Sequence, residues 1–373
     1  MWVWILGIFS LLYQFTIGDC ECGYSIYQDA KGAPLIFTDL METDFVHVDI
    51  TTGGGGRAWS PQGYNRSSGA ARGPYGESYA VDNILSNVIA DPKVFSGSGN
   101  LGLDAGLRLV VRGATQDNMV SVAETATTGL DYSYGTFRVG MKTTDVPGTC
   151  SAFFWYQNDT QEIDIEFLSS QYSKADRTFP VNLVLQSKDS ASAGYDAANT
   201  TGFRRVNLPF DPTTAFHEYR FDFLADRVIF YADGNFLTEL TGDGVPVSSG
   251  HLLLSHWSNG NAGWSQGPPA QDAVTTVSYV KAYFNSSLEQ RKSEFADRCK
   301  DPAAKGAVCD VPNYDPTFFF SGGTGSAPNQ SIPGDSGDGG SGAGESSSVR
   351  RALVGSAVLL WTVMVVVYVP LRY

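Results

Sequence analysis

The stretch Gln161-Glu162-Ile163-Asp164-Ile165-Glu166-Phe167 decides how this chain is read. Acidic and apolar residues alternate strictly, which is the period of a half-buried β-strand and not of a helix. Ile163, Ile165 and Phe167 then enter a core, and Glu162, Asp164 and Glu166 line the opposite face together. Three like charges on one face repel, and at least one carboxyl is pushed toward its protonated form. A strand kept only for stability gains little from that arrangement, whereas rows of perturbed carboxylates mark functional sites. The competing interpretation is a solvated acidic strand with no further role.

The same period recurs outward from this stretch. It is seen in Phe45-Val46-His47-Val48-Asp49-Ile50, Leu107–Val111, Thr136–Met141, Glu218–Phe223, Val228–Tyr231 and Val277–Tyr283. Asp233-Gly234 is a hairpin turn signal before Phe236-Leu237. Many short alternating runs predict an all-β chain built as a two-layer antiparallel sandwich. Composition agrees: Gly is abundant at 41 residues, aromatics reach 13%, and charged residues fall to 17%, against ~25% in an average soluble protein. The 373 residues exceed the ~100–200 of a typical domain, although single sandwiches reach ~250. A net charge of −14 without a long basic run excludes nucleic acid as a partner, because phosphate binding needs clustered Lys and Arg.

Two features interrupt the strands. Thr51–Tyr75 is a long insertion containing Gly53-Gly54-Gly55-Gly56; no Gly-Lys-Ser/Thr follows, so it is not a phosphate loop. After Asn285 the segment SSLEQRKSEFADRCK has helical spacing behind a Ser N-cap.

Both ends read as targeting segments. Residues 1–18 are apolar and uncharged and end in Thr16-Ile17-Gly18, the pattern of a signal peptide cleaved near Gly18; a transmembrane anchor is the alternative. Ala352–Val369 is an apolar run after the Ser/Gly-rich SGDGGSGAGESSSVRR, the pattern of a glycolipid (GPI) anchor signal; a single membrane span is the alternative. The organisation expected is signal peptide 1–18, catalytic sandwich 19–287, Cys-containing extension 288–320, Ser/Gly stalk 321–348 and removed tail 349–373. The protein is then a cell-surface monomer held to the membrane through lipid. In an oxidising route Cys20 and Cys22 pair with Cys299 and Cys309 in one of two connectivities, and Cys150 is left as a buried thiol. Sequons stand at Asn65, Asn158, Asn199, Asn285 and Asn329.

The acidic row suits cleavage of a glycosidic bond, where one carboxylate attacks the anomeric carbon and one carboxylic acid protonates the leaving oxygen. The outer Cα atoms of the row lie about 13 Å apart in an extended strand, so the strand must bend and the Glu side chains lean inward. EIDIEF resembles the active-site strand of glycoside hydrolase family 16. The likeness continues through SYGTFRVGMK, PGTCSAFFW, FHEYRFDF, VIFYADG and VSYVKAYF, and covers about Leu35 to Ser287. The resemblance implies a concanavalin A-like jelly-roll sandwich. It also implies a retaining mechanism on β-linked wall polysaccharide, with Glu162 as nucleophile, Glu166 as acid/base and Asp164 assisting. Together with the two end segments it is similar to fungal cell-wall members, which brings β-glucan as substrate and chitin as an acceptor into view.

Aromatic platforms for sugar are sought among Trp59, Trp155, Trp257 and Trp264, with Trp257 favoured and Trp59 weakest. Core packing is the alternative for each. Glu124, Asn182 and Gln186 fall on strands able to share the acidic face, Glu124 and Asn182 being the candidate substrate contacts. His256 is more simply structural than chemical. No cofactor is implied, and no metal-ligand spacing occurs. A lectin-like wall-binding protein on the same fold is the rival from another functional class.

Overall fold

The computed structural model describes residues 20–26, 34–51 and 58–314. The expected signal peptide, stalk and anchor tail, Gly53–Gly56 and Asn329 lie outside these residues. The chain divides into two compact units, Met1–Gly339 and Gly340–Tyr373, and every described residue belongs to the first.

Period-two patterning produces two large sheets. The ten-stranded sheet runs Phe203–Asn207, Pro180–Gln186, Gln161–Leu168, Cys150–Asn158, His251–Trp257, Met119–Thr127, Gly76–Tyr79, Tyr64–Arg66, with two short strands added to Met119–Thr127. The eight-stranded sheet runs Asn235–Thr241, Arg227–Ala232, His217–Phe223, Tyr132–Lys142, Ala273–Ser286, Gly106–Val111, Ile84–Asn87, with Asp39–Asp44 added to Ala273–Ser286. Pairing within both is antiparallel except between Met119–Thr127 and Gly76–Tyr79. The hairpin at Asp233-Gly234 joins Arg227–Ala232 to Asn235–Thr241, and both turn residues have positive φ, 45° and 72°.

The sheets stack through the apolar half of each alternation. Phe153, Ile163, Ile165 and Leu183 from one sheet share a core with Phe137, Val139, Phe221 and Phe230 from the other. Aromatic rings cross the interface: Phe153 lies 5.5 Å from Phe221 and Phe167 4.6 Å from Tyr219 between centroids. The result is the two-layer sandwich the alternation predicts, with the acid strand third from one edge.

Two local expectations are corrected. Phe45–Ile50 is not a strand. The strand is Asp39–Asp44, after which the Asp44 carboxylate accepts from the Val46 backbone N–H and pairs with His47 Nδ1 at 2.5 Å, turning the chain. Phe45, Val46 and Ile50 are nevertheless buried, so the alternation reported burial rather than extension. The helix is Glu289–Arg298, and its N-cap is Leu288 rather than a serine. Ser286 Oγ instead accepts from the Leu288 N–H, one turn early.

A small third sheet, Leu35–Phe37, Tyr24–Ile26 and Cys309–Asp310, ties the two ends of the described chain together. Disulfides Cys20–Cys309 and Cys22–Cys299 close it and fix the connectivity left open by the sequence. On the outer face of the eight-stranded sheet, Glu42, Lys281, Arg138, Arg220 and Tyr231 stand opposite one another in one row across five strands. Each cation of that row has an acid: Lys281–Glu42 and Arg138–Glu218 at 3.8 Å, Arg220–Asp222 at 2.5 Å. The segment Pro312–Tyr314 lies over the row, and the Pro312 carbonyl accepts from Arg138 at 2.7 Å.

Candidate active site

The acid strand lies in the sheet as its alternation requires. Ile163, Ile165 and Phe167 are 0–1% exposed in the core, so Glu162, Asp164 and Glu166 share the opposite, concave face. Cross-strand register fixes what stands beside each acid. Gln186, Glu162, Tyr156 and His251 form one row. Phe203, Val184, Asp164, Phe154 and Leu253 form the next. Arg205, Asn182, Glu166, Ala152, Ser255 and Glu124 form the third.

Electrostatics follow from that crowding. Loss of hydration raises all three acids, and neighbouring carboxylates add to the rise of Glu162 and Asp164. Glu162 is pushed up to about 7, chiefly by burial, with Glu166 adding to the rise. Asp164 is raised furthest: it is deepest, at 4% exposed, and has an acid on either side. A hydrogen bond joins Asp164 to Glu162, and it lowers Glu162 while raising Asp164. Within the pair, the shared hydrogen bond favours the proton on Asp164 over Glu162.

Glu166 is raised by burial and held by two donors on one oxygen. Cys150 Sγ and Trp264 Nε1 each donate to Glu166 Oε1 at 3.3 Å. The Trp264 ring faces Phe203, 6.2 Å between centroids. Its loop is rigid for a sequence reason. Asn261 turns it, its carbonyl accepting from the Trp264 and Gln266 N–H groups at 3.0 and 2.8 Å. Gly267, at φ +83°, packs so closely that a Cβ would lie 2.2 Å from the Gly148 carbonyl oxygen.

The remaining predicted residues divide. Trp264 meets Glu166 directly. Trp257 is half-buried on the concave side opposite Cys150 and packs on an apolar cluster with Tyr79, Val120 and Val122. Glu124 shares the row of Glu166 three strands away; burial pushes it up to about 7, and the Tyr64 hydroxyl donates to it at 2.9 Å. Trp155 is corrected: it faces inward, is 0% exposed, packs at a tilt against Phe223 and donates from Nε1 to the Tyr132 carbonyl. Its position is odd where the concave residues of that strand are even. Asn182 is corrected as a sugar contact: it is 0% exposed and its amide is committed to Gln171 and Arg205. Trp59 is core, donating to Thr43 at 2.9 Å. His256 is fully buried, its ring between the Leu109 carbonyl and the Thr149 hydroxyl, and burial lowers it to about 4. Asn65 and Asn199 are exposed, and Asn158 and Asn285 half-buried.

Sequence reasoning missed Cys150 as a partner of Glu166. The signal was present in the register: sixteen residues before Glu166 across a short hairpin, with the parity of the concave face. It also missed Phe203 and Tyr64. The Tyr64 ring stacks on Tyr79 at 4.4 Å and is 41% exposed. Gln186 Oε1, beside Glu162, is buried with no hydrogen-bond partner among the described residues. Nor, among these residues, do three His, Cys, Asp or Glu side chains gather to hold a metal, and no helix is long and apolar enough to cross a membrane.

Comparison with known proteins finds relatives over part of the chain. The sequence profile of glycosyl hydrolases family 16 matches residues 101–281. Beta-glucanases are similar in sequence: that of Paenibacillus polymyxa is 31% identical over 133 residues, 34% of this chain and 49% of that protein. That of Acetivibrio thermocellus is 28% identical over 233 residues, 60% of this chain and 58% of that protein. The chain spans about half the length of the curated relatives it matches. Among solved structures, the endo-β-1,3-glucanase of Pyrococcus furiosus is 17% identical, covering 70% of this chain and 99% of that chain at a TM-score of 0.49. The Bacillus licheniformis β-glucanase is 19% identical, covering 65% and 97% at 0.47. The sandwich here rests on its own strand register. The resemblance first read from EIDIEF thus extends across residues 101–281, which carry the pattern of glycosyl hydrolases family 16.

Proposed function

We propose that this protein is a retaining glycosidase acting on β-glucan, with Glu162 as nucleophile, Glu166 as acid/base and Asp164 as the proton-bearing partner of the nucleophile. One observation carries the reading: three carboxyl groups at alternate positions of one strand share a face of the sheet, all raised by burial, with Asp164 hydrogen-bonded to Glu162. A carboxylate that attacks and a second carboxyl, here Glu166, raised by burial so that it can carry a proton are the division of labour that glycoside cleavage needs. Glu162 attacks the anomeric carbon as Glu166 gives its proton to the leaving oxygen, and a glycosyl ester forms on Glu162. Glu166, now a carboxylate steadied by Cys150 and Trp264, takes a proton from the incoming hydroxyl, and the ester carbon–oxygen bond breaks. Water as that hydroxyl gives hydrolysis, and a sugar hydroxyl gives transfer.

Trp264, Phe203 and Trp257 supply apolar surface for sugar rings, and Glu124 an acceptor for sugar hydroxyls one or two residues away. The β-glucan assignment draws on the names of the relatives, and chitin as an acceptor only on the sequence resemblance. Two disulfides favour an oxidising compartment, consistent with a secreted, lipid-anchored protein at the cell surface.

The test incubates the full chain, with Glu162→Gln as control, on β-1,3-glucan and chitin oligosaccharides of one length, and follows product masses. Shorter products absent in the control support glycosidase action, and longer ones support transfer. Sugar bound equally by both proteins without any product would replace this reading with a lectin.

A further inference from the structure

Two connections from opposite edges of the ten-stranded sheet meet over its concave face. One joins Tyr64–Arg66 to Gly76–Tyr79 through the helix Ser68–Ala71, which ends at Arg72. The other joins Pro180–Gln186 to Phe203–Asn207 and contains Tyr195. Four strands, the acid strand among them, separate Pro180–Gln186 from Gly76–Tyr79, a distance of about 24 Å at ordinary strand spacing. Yet the Arg72 guanidinium carbon lies 4.0 Å from the centroid of the Tyr195 ring. Arg72 is also near enough to Glu162 to oppose part of its rise in pKa, so the contact lies near the acids and not beyond the sheet.

Both arms are braced at their bases. Asn259 and Asn261 donate their side-chain amides to the Ala71 and Arg72 carbonyls at 2.6 and 3.2 Å. A Cβ on Gly73 would lie 2.3 Å from the Asn259 carbonyl oxygen, so that arm lies flat on the loop that carries Trp264. Opposite, Ser187 and Ser190 form a reciprocal capping box, and the Tyr195 N–H donates to the Ser190 carbonyl at 2.7 Å. Both residues at the contact have left-handed backbone, φ 60° for Arg72 and 66° for Tyr195. Glycine would fit either place with less strain. The guanidinium and the ring thus meet from two positions where the backbone would favour glycine.

We propose that Arg72 and Tyr195 are specificity-determining residues: a strap across the acid row that admits a glycan by a free chain end and excludes one that has no end. The inference rests on the glycosidase reading for its substrate, but not for the strap itself. The cation over the aromatic face joins the two arms, and hydrogen bonds hold both bases, so the strap stays closed as a chain end passes beneath it.

The test compares the full-length protein with Tyr195→Ala, Arg72→Gly and Arg72→Lys. The substrates are a linear and a cyclic β-glucan of similar size and the same linkages. The wild type is expected to cleave the linear glucan and leave the cyclic one. Tyr195→Ala and Arg72→Gly each raise turnover of the cyclic glucan relative to the linear by about 10-fold or more, and Arg72→Lys keeps the exclusion. Cleavage of both glucans at equal rates by the wild type overturns the proposal. So does a change in Arg72→Gly that Tyr195→Ala does not share, which would reduce Arg72 to a charge acting on Glu162. A second readout needs no turnover: deuterium uptake over residues 187–202 rises about 3-fold in Arg72→Gly, and unchanged uptake overturns the strap. Raised uptake with no turnover of any glucan upholds the strap and sinks the glycosidase reading.

Discussion

Two faces of this sandwich bury charge, and they solve the problem in opposite ways. On the outer face of the eight-stranded sheet, Lys281, Arg138 and Arg220 are paired with Glu42, Glu218 and Asp222, so each cation has an anion within 4 Å. On the concave face of the ten-stranded sheet, Glu162, Asp164, Glu166 and Glu124 have no such balance, and all four are raised by burial. Mixed charge can be buried and stay ionised, whereas like charge can be buried only by holding protons. The first arrangement serves cohesion. The second holds a row of carboxyls with raised pKa, a state that costs stability and is the pattern of a functional site.

The sharpest way to break this contrast is at Glu162. Glu162→Gln should lower kcat about 10⁴-fold or more while the fold is kept, since a nucleophile acts with its partners as a unit; product formation against a circular dichroism control measures it. Retained turnover would make the concave acids ornamental. Next in size is the outer face. Lys281→Met removes the ion pair with buried Glu42 and should cost about 3–5 kcal/mol in urea unfolding, with kcat/KM of the folded protein unchanged.

A subtler test uses pH. The folded-state pKa of Glu162, about 7, lies above the ordinary carboxyl value of 4.5. Between these values the folded state binds more protons than the unfolded, so stability falls as pH rises through the window. Glu162→Gln removes that penalty. It should be more stable than wild type by on the order of 1–3 kcal/mol at pH 8, with the gain fading below pH 4.5, as read from paired urea titrations. A gain that is constant with pH would place the effect in packing. Smallest is Trp264→Phe, which keeps the ring and deletes the donor to Glu166 Oε1. Losing a charge-assisted bond of about 1.5 kcal/mol should lower kcat/KM by about 10-fold. It should also move the alkaline limb of the pH–rate profile upward, because the Glu166 carboxylate is less favoured.

How much of this was legible in the sequence depended on range. Alternation within a strand told which side of Gln161–Leu168 met the core, because side-chain period is a local property. It failed at Phe45–Ile50, where a turn built on Asp44 and His47 buries the same apolar residues without extending them. Trp155 was misjudged although its parity was readable: counted across the short hairpin from Ile163 it faces inward with the core. Asn182 was placed on the right row, but its burial depends on Gln171 and Arg205, whose positions only folding reveals. Cys150 and Trp264 converge on one oxygen from 16 and 98 residues away. The meeting of Arg72 and Tyr195 is longer in range still, and no pattern in either segment announces it.

The two disulfides have a mechanical consequence. Cys20–Cys309 and Cys22–Cys299 enclose 289 and 277 residues of sequence separation, so nearly the whole sandwich is a closed loop hung from one covalent knot. Tension drawn along the chain from before Cys20 to beyond Cys309 runs through a sulfur bridge and bypasses the sheets. A domain strung in this way can be pulled on from both directions without its strands being stretched.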